Sequence, residues 1–219
     1  MAKVVIFGVK DFAELAWFYL SHDSPHHVAA FSVHREYLPA DKSFKGLPVV
    51  PYEEVEELFP PMEHDFFVPM SAANMNADRE SVYLSVKEKG YECVSYISSK
   101  ATTFNNQVGE NCFILEANVL QPFTDIGNNV ILWSGNHIGH HGAIGDHVTL
   151  TSHVVVSGHC TISRNSFIGV NATLRDGINL AEGTFVAMSA ALMESTEPWS
   201  AYKGNPAQKL KIPSTRIRF

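Results

Sequence analysis

Hydrophobic positions in the second half of the chain recur every six residues. From Val108 the series passes through Ile114, Leu120, Ile126 and Leu132 and continues at that interval to Leu192, fifteen positions that are all Val, Ile or Leu. These three types fill 47 of the 219 positions, so chance gives such a run with odds on the order of 10⁻¹⁰. Four residues after the aliphatic position the side chain is often small or β-branched, as at Cys112, Thr124, Val148, Cys160, Ala172 and Ala190. A period of six matches neither a helix nor a plain strand. It fits a chain that turns after each short strand and sends one large and one small side chain inward per side. Three sides close a coil of eighteen residues, so the pattern predicts a parallel β-solenoid of about five coils over residues 104–193.

The first hundred residues carry a different pattern. Lys3 to Gly8 (KVVIFG) reads as a buried strand, DFAELAWFYLSH as a helix and HVAAFSV as a second strand. GLPVV then leads into a short acidic helix, DFFVPM is a strand, NADRESVYLSVKEKG a helix and YECVSYI a last strand. Strands alternating with helices predict a small α/β sheet of parallel character over residues 1–103. Gly8 falls where the first strand meets the first helix, a place suited to phosphate, although FGVKDFAE has only the first glycine of a dinucleotide fingerprint. Gly8, Lys10, Asn74, Asn76 and Arg79 all lie at the carboxyl edge of this sheet, where α/β proteins bind ligands. They are the candidates for holding a sugar or nucleotide, with Asn76 as a helix cap and Arg79 as a surface residue the alternative readings. Residues 194–219 show turn residues and no period, and read as a C-terminal extension.

Charge narrows the function classes. Lys and Arg number 16 against 23 for Asp and Glu, a formal net charge of −7, which argues against a protein that neutralises nucleic-acid phosphates. No apolar run is long enough for a spanning helix. MAKVVIFGVKDF lacks a small-residue cleavage site and reads as a strand, not a signal peptide. Cys93, Cys112 and Cys160 are odd in number and without CxxC spacing, so reduced thiols in a cytoplasmic protein are expected. Six of the eleven histidines fall between Asn136 and His159.

The hexads, together with GHHGAIGD, NSFIGVNATLRDG and YKGNPAQKL, resemble the left-handed β-helix acyltransferases. From Lys3 to Lys211 the chain is similar to the sugar O- and N-acyltransferases of the sialic-acid O-acetyltransferase type, which place a Rossmann-like domain before a hexapeptide solenoid and include bacterial enzymes that N-acetylate nucleotide-linked amino sugars. The resemblance implies a homotrimer with acetyl-CoA between neighbouring solenoids and no metal. It implies that His140, in the segment Ile138 to Asp146, is the catalytic base. His141 stands where relatives often carry an acid, so His141 itself, Asp125, Asp146 or another acid is expected to orient the base. Ser32 and Val33 stand where close relatives have acidic residues that contact a nucleotide-sugar. For acetyl-CoA the resemblance points to His153, Gly158, Gly169, Ala187, Lys203 and Pro206, with Lys203 meeting a phosphate as a point charge.

Residue chemistry agrees with that expectation. His141, His147, His153 and His159 are six apart and so occupy equivalent positions on successive sides; His159 should stand one coil above His141, roughly 5 Å away. Imidazole, with an ordinary pKa of about 6.5, is matched to accept a proton near neutral pH. Direct attack of a sugar amine or hydroxyl on the thioester needs such a base and donors for the oxyanion, for which turn N–H groups are expected. The plainer reading makes His147, His153 and His159 solvated corner residues. Two other functions are open: a non-catalytic trimeric scaffold, against which the tail Lys203 to Ala207 argues, and a γ-carbonic-anhydrase-like metal site, against which the lack of two histidines four apart argues.

Overall fold

The structure, a computed structural model, describes residues 1–217; the last two residues of the expected 194–219 extension lie outside the described residues. Its first part is a five-stranded sheet in the order β3-β4-β2-β1-β5, built from β1 (Lys3–Phe7), β2 (His27–Val33), β3 (Ser43–Phe44), β4 (Leu47–Pro51) and β5 (Asp65–Phe67). All pairings are parallel except the β3–β4 hairpin. β1 and β2 read as continuous apolar runs because parallel strands are covered on both faces. Helix α1 (Asp11–His22) buries Ala13, Ala16 and Leu20, a 3-4 spacing that turns one stripe to the sheet. The short α2 (Val55–Leu58) and the longer α3 (Ala77–Glu88) complete this part.

From Tyr96 onward the chain coils. After β6 (Tyr96–Ile97), fourteen two-residue strands follow at six-residue intervals from Phe113–Ile114 to Ala191–Leu192. Through the coils, solenoid strands pair in parallel with the strand eighteen residues on, as Ala143 with Thr161 and Ile144 with Ile162. Three sheets result, the three faces of a triangular coil. The first face holds Phe113–Ile114, Ile131–Leu132, Thr149–Leu150, Phe167–Ile168 and Phe185–Val186. The second holds the column from Val119–Leu120 to Ala191–Leu192, and the third the column from Asp125–Ile126 to Asn179–Leu180. Every hexad aliphatic from Ile114 to Leu192 is at most 3% exposed, so the predicted period is the core itself. Backbone polar groups are satisfied between coils, for example Thr149 N–H to Ser166 O at 3.0 Å.

The chain turns at each corner in a uniform way. Every sixth residue from Asn105 to Ser189 has a positive φ, between 55° and 81°. Twelve of these fifteen positions are Asn, Gly or His, the types that tolerate the left-handed region best. The histidines at 141, 147, 153 and 159 therefore satisfy a backbone requirement first.

Two features join the halves. The segment read as the last strand of the α/β sheet is divided: Cys93 bridges to Phe66, whereas Tyr96–Ile97 pairs with Phe113–Ile114 of the first face. Phe113, Leu115 and Ile131 share a buried cluster with Leu20, Phe67 and Tyr96. At the other end, strands form where no period was legible. β21 (Ser200–Lys203) rejoins the first face beside Phe185–Val186, and β22 (Gln208–Pro213) pairs antiparallel with it. These strands cover an edge that the last coil would otherwise leave open. The three cysteines are free and buried; burial pushes the Cys93 thiol up to about 12 and the Cys112 thiol up to about 11.

Candidate active site

Three corners run the length of the solenoid. The one between the second and third faces carries the histidine pair. Along it, eighteen residues apart, stand Pro122, His140, Gly158 and Asp176, and beside them the left-handed column Phe123, His141, His159 and Gly177. His159 sits one coil above His141, as the spacing predicted, with rings stacked at 5.2 Å and 16°. Phe123 lies below, its ring 4.7 Å from that of His141 and tilted to it by 41°. His140 stands edge-on to both imidazoles at 5.1 Å. Its Nδ1 is 3.0 Å from His141 Nδ1, a hydrogen bond in which one ring donates and the other accepts. The rest of the ring lies over Gly158, where a Cβ would stand 2.8 Å from His140 Cε1 and 3.1 Å from Nε2. Only glycine leaves that slot open.

Of the acids considered as orienters, Asp146 sits on a different corner and accepts from Asn128 N–H at 2.7 Å. Asp125 begins a strand of the third face. His141 is the side chain that bonds His140. The turn N–H groups of His141 and His159 are engaged by Pro122 O and His140 O, so these two are not oxyanion donors.

A cavity of about 490 Å³ opens at the carboxyl edge of the α/β sheet. Sequence order reverses there, since β1 lies between β2 and β5, and such a switch point forms a crevice. Gly8, Lys10, His34, Tyr37 and Ser71 line it. Gly8 and Lys10 are thus placed as expected. The remaining N-terminal candidates are not. Arg79 is fully buried and donates to Met70 O, Ser71 O, Asn129 Oδ1 and O, His147 O and Val148 O at 3.1–3.4 Å. Asn76 is equally buried and bonds Asn165 O, Ser166 O and the Thr149 hydroxyl. Both fasten α3 to the corner between the third and first faces, and neither can reach a ligand. Asn76 holds the cap position of α3, yet its side chain caps nothing there. Asn74 is exposed and bonds Asp78 at 2.8 Å, away from the cavity lining. His34 and Tyr37, which sequence reasoning did not single out, complete the cavity; the strand-end position shared with Gly8 was the available signal.

A second cavity of about 330 Å³ lies over the first face, lined by Phe12, Trp133, Thr151, Ser152, Phe167 and Val170 among others. Phe12 belongs to both cavities, so they adjoin. Gly169, Ala187 and Lys203 form one column along the adjacent edge. His153 stands one coil earlier on the neighbouring corner, its ring against Gly135, and Pro206 is exposed in the β21–β22 turn. Gly158 is apart from this group, on the histidine corner. His147, expected as a solvated corner residue, is 5% exposed. It accepts from Asn129 Nδ2 at 2.9 Å and faces Glu80 at 3.5 Å, and burial lowers its pKa.

Among the described residues no helix is long and apolar enough to cross a membrane. Comparisons by sequence return nothing: no family model and no curated protein matches the chain. Solved structures do match. Perosamine N-acetyltransferase from Caulobacter crescentus, a histidine-to-asparagine variant in complex with CoA and GDP-perosamine, superposes with a TM-score of 0.84 at 19% identity over 97% of this chain and 98% of its own. The acetyltransferase domain of PglB from Neisseria gonorrhoeae gives 0.84 at 18% identity, covering 96% and 100%. WeeI from Acinetobacter baumannii gives 0.72 at 19%, covering 96% and 100%. The parallel α/β unit, the three-faced coil and these superpositions together define the fold: a Rossmann-like domain followed by a left-handed β-helix, the architecture of those acetyltransferases along nearly the whole chain.

Proposed function

We propose that the chain is an acetyl-CoA-dependent acyltransferase acting on a sugar, in its nucleotide-linked form, as a homotrimer. The observation that carries this reading is the bond between His140 and His141 on a corner kept open by Gly158. With the proton on His140 Nδ1 donated to His141 Nδ1, the lone pair of His140 Nε2 is free. That nitrogen takes the proton of the acceptor amine or hydroxyl as its N or O attacks the thioester carbonyl. The tetrahedral intermediate collapses, the C–S bond breaks, and the leaving CoA sulfur recovers the proton. His141 does by a neutral acceptor what a carboxylate does for other catalytic histidines: it fixes tautomer and ring plane.

Three structures of the Caulobacter crescentus enzyme of the same fold were solved with CoA and GDP-perosamine, which supports a nucleotide-sugar and a CoA thioester as the substrates. In this chain the cavity at Gly8 and Lys10 suits the nucleotide, with Lys10 near phosphate beside the start of α1. The adjoining cavity over the first face suits the sugar, and the edge formed by His153, Gly169, Ala187, Lys203 and Pro206 suits CoA. The first face lies opposite the histidine corner of the same coil. A base that serves this sugar site therefore comes from another copy, which supports a cyclic assembly.

The test measures CoA release from acetyl-CoA with a panel of nucleotide-linked amino and neutral sugars. Release on one acceptor, lowered about 10²–10⁴-fold in kcat by His140→Ala, is expected. Release unchanged by that substitution would remove His140 as the base.

A further inference from the structure

The corner that holds the base also brings three imidazoles together. One ring nitrogen from each of His140, His141 and His159 lies within 4.8 Å of the other two, and all three side chains are exposed. Among the described residues this is the one such grouping of His, Cys, Asp or Glu. The coil makes it: His141 and His159 hold the same left-handed position in successive turns, and His140 precedes the first. Asp176 stands across the Gly158 gap, its Oδ1 3.1 Å from where a Cβ on Gly158 would sit, and adds a negative charge nearby.

We infer that His140, His141 and His159 bind a divalent transition-metal cation of the zinc class, and that the bound ion switches off the base. Imidazole nitrogens select such ions over magnesium and calcium. Tetrahedral zinc with Zn–N near 2.05 Å sets neighbouring ligand nitrogens about 3.3 Å apart, close to the 3.0 Å between His140 Nδ1 and His141 Nδ1. His159 closes the remaining distance by rotating an exposed ring, and the fourth position is left to water. The ion takes the Nδ1 lone pairs of both His140 and His141, so the proton they shared moves to His140 Nε2. A neutral imidazole then has no acceptor left, and no proton is released overall. The inhibitory half of this inference rests on the proposed function; the binding half does not.

The experiment titrates Zn²⁺ into the full chain against a chromophoric chelator, for the wild type and for His159→Asn. Asparagine occupies the same left-handed position on the other two corners, at Asn165 and Asn171 with φ of 59°, so the coil should stay intact, which unchanged thermal unfolding would verify. One ion per chain is expected in the wild type. Binding to the variant should weaken at least about tenfold, the loss that removal of even an outer partner of a metal ligand causes. Wild-type turnover should fall on addition of Zn²⁺ and recover with EDTA, while His159→Asn keeps its turnover at the same Zn²⁺ concentration. Equal affinity in the two proteins, or less than one ion per chain, overturns the site. An enzyme that EDTA inactivates and Zn²⁺ restores overturns the inhibitory assignment. Zinc binding as expected in a chain that turns over no acceptor upholds the site and counts against the acyltransferase reading instead.

Discussion

His140 and His141 differ by one step along the hexad, and that step decides what each ring does. His141 occupies the left-handed position and stacks along the corner, whereas His140 leans over Gly158 with its outer nitrogen uncovered. His141→Asn keeps both the left-handed backbone and an acceptor oxygen. It should lower kcat by about tenfold, less than the 10²–10⁴-fold loss of an absent base, with KM little changed in steady-state kinetics. His147 shows the same hexad position put to another use. Burial holds its imidazole below the ordinary value, so on acidification the unfolded chain takes up this proton first. Stability should fall as pH drops below about 6.5, the unfolded value, and level off below the folded value. His147→Asn should flatten that part of a plot of Tm against pH, whatever it does at neutral pH. The equivalence of these histidines was legible in the sequence. Their different burial was not, because it depends on which corner α3 covers.

At the scale of the element, the coil is set by two interleaved series. The aliphatic one was plain, because large apolar side chains at a strict interval have no competing explanation. The series of left-handed residues stood in the sequence as Asn, Gly and His at the same interval, masked by Ala117, Phe123 and Ser189. It makes a quantitative prediction. Asn171 is exposed with φ of 59°, so Asn171→Val should destabilise by about 1–2 kcal/mol through backbone strain alone. Asn171→Gly should be close to neutral, and urea denaturation of the two variants separates backbone from side-chain effects. Helix α1 was readable end to end from its apolar stripe and flanking polar residues. The strand near residue 200 was not, and the one ending at Ile97 was readable as a strand but not as one that joins the solenoid, since each is two to four residues long and exists by pairing with the coil rather than by its own pattern.

For the whole molecule, the joint between the halves is held by a cation without a carboxylate partner in its hydrogen bonds. Arg79 satisfies carbonyls of α3's approach and of two solenoid coils, and burial lowers its pKa to about 9. Arg79→Ala would strand those acceptors, and a loss of about 3–5 kcal/mol is expected. In calorimetry the unfolding of this variant should also broaden or divide relative to the wild type as the α/β unit comes loose from the coil. Sequence placed this arginine at a ligand edge because a buried guanidinium with six acceptors has no local signature. The proposed assembly makes its own prediction. If the base and the adjoining nucleotide and sugar cavities come from different copies, mixing His140→Ala with a Ser71→Trp variant, whose nucleotide cavity is blocked, should restore roughly a quarter of the activity by random association in a cyclic oligomer. Each variant alone should be inactive, and no recovery on mixing would place both parts of the site in one subunit.

The uniform corners also bear on how such a molecule changes over time. Because every turn is made the same way, a corner residue can be exchanged for another turn-tolerant type without shifting the coil above or below it. The three corners act as racks on which side chains are displayed at fixed height and spacing, independent of the aliphatic stack inside. One rack here carries phenylalanine and histidine, another the asparagine ladder that receives α3. New acceptors or new ligands are then reachable by single substitutions on the outside, while the inside keeps the register that makes those positions line up.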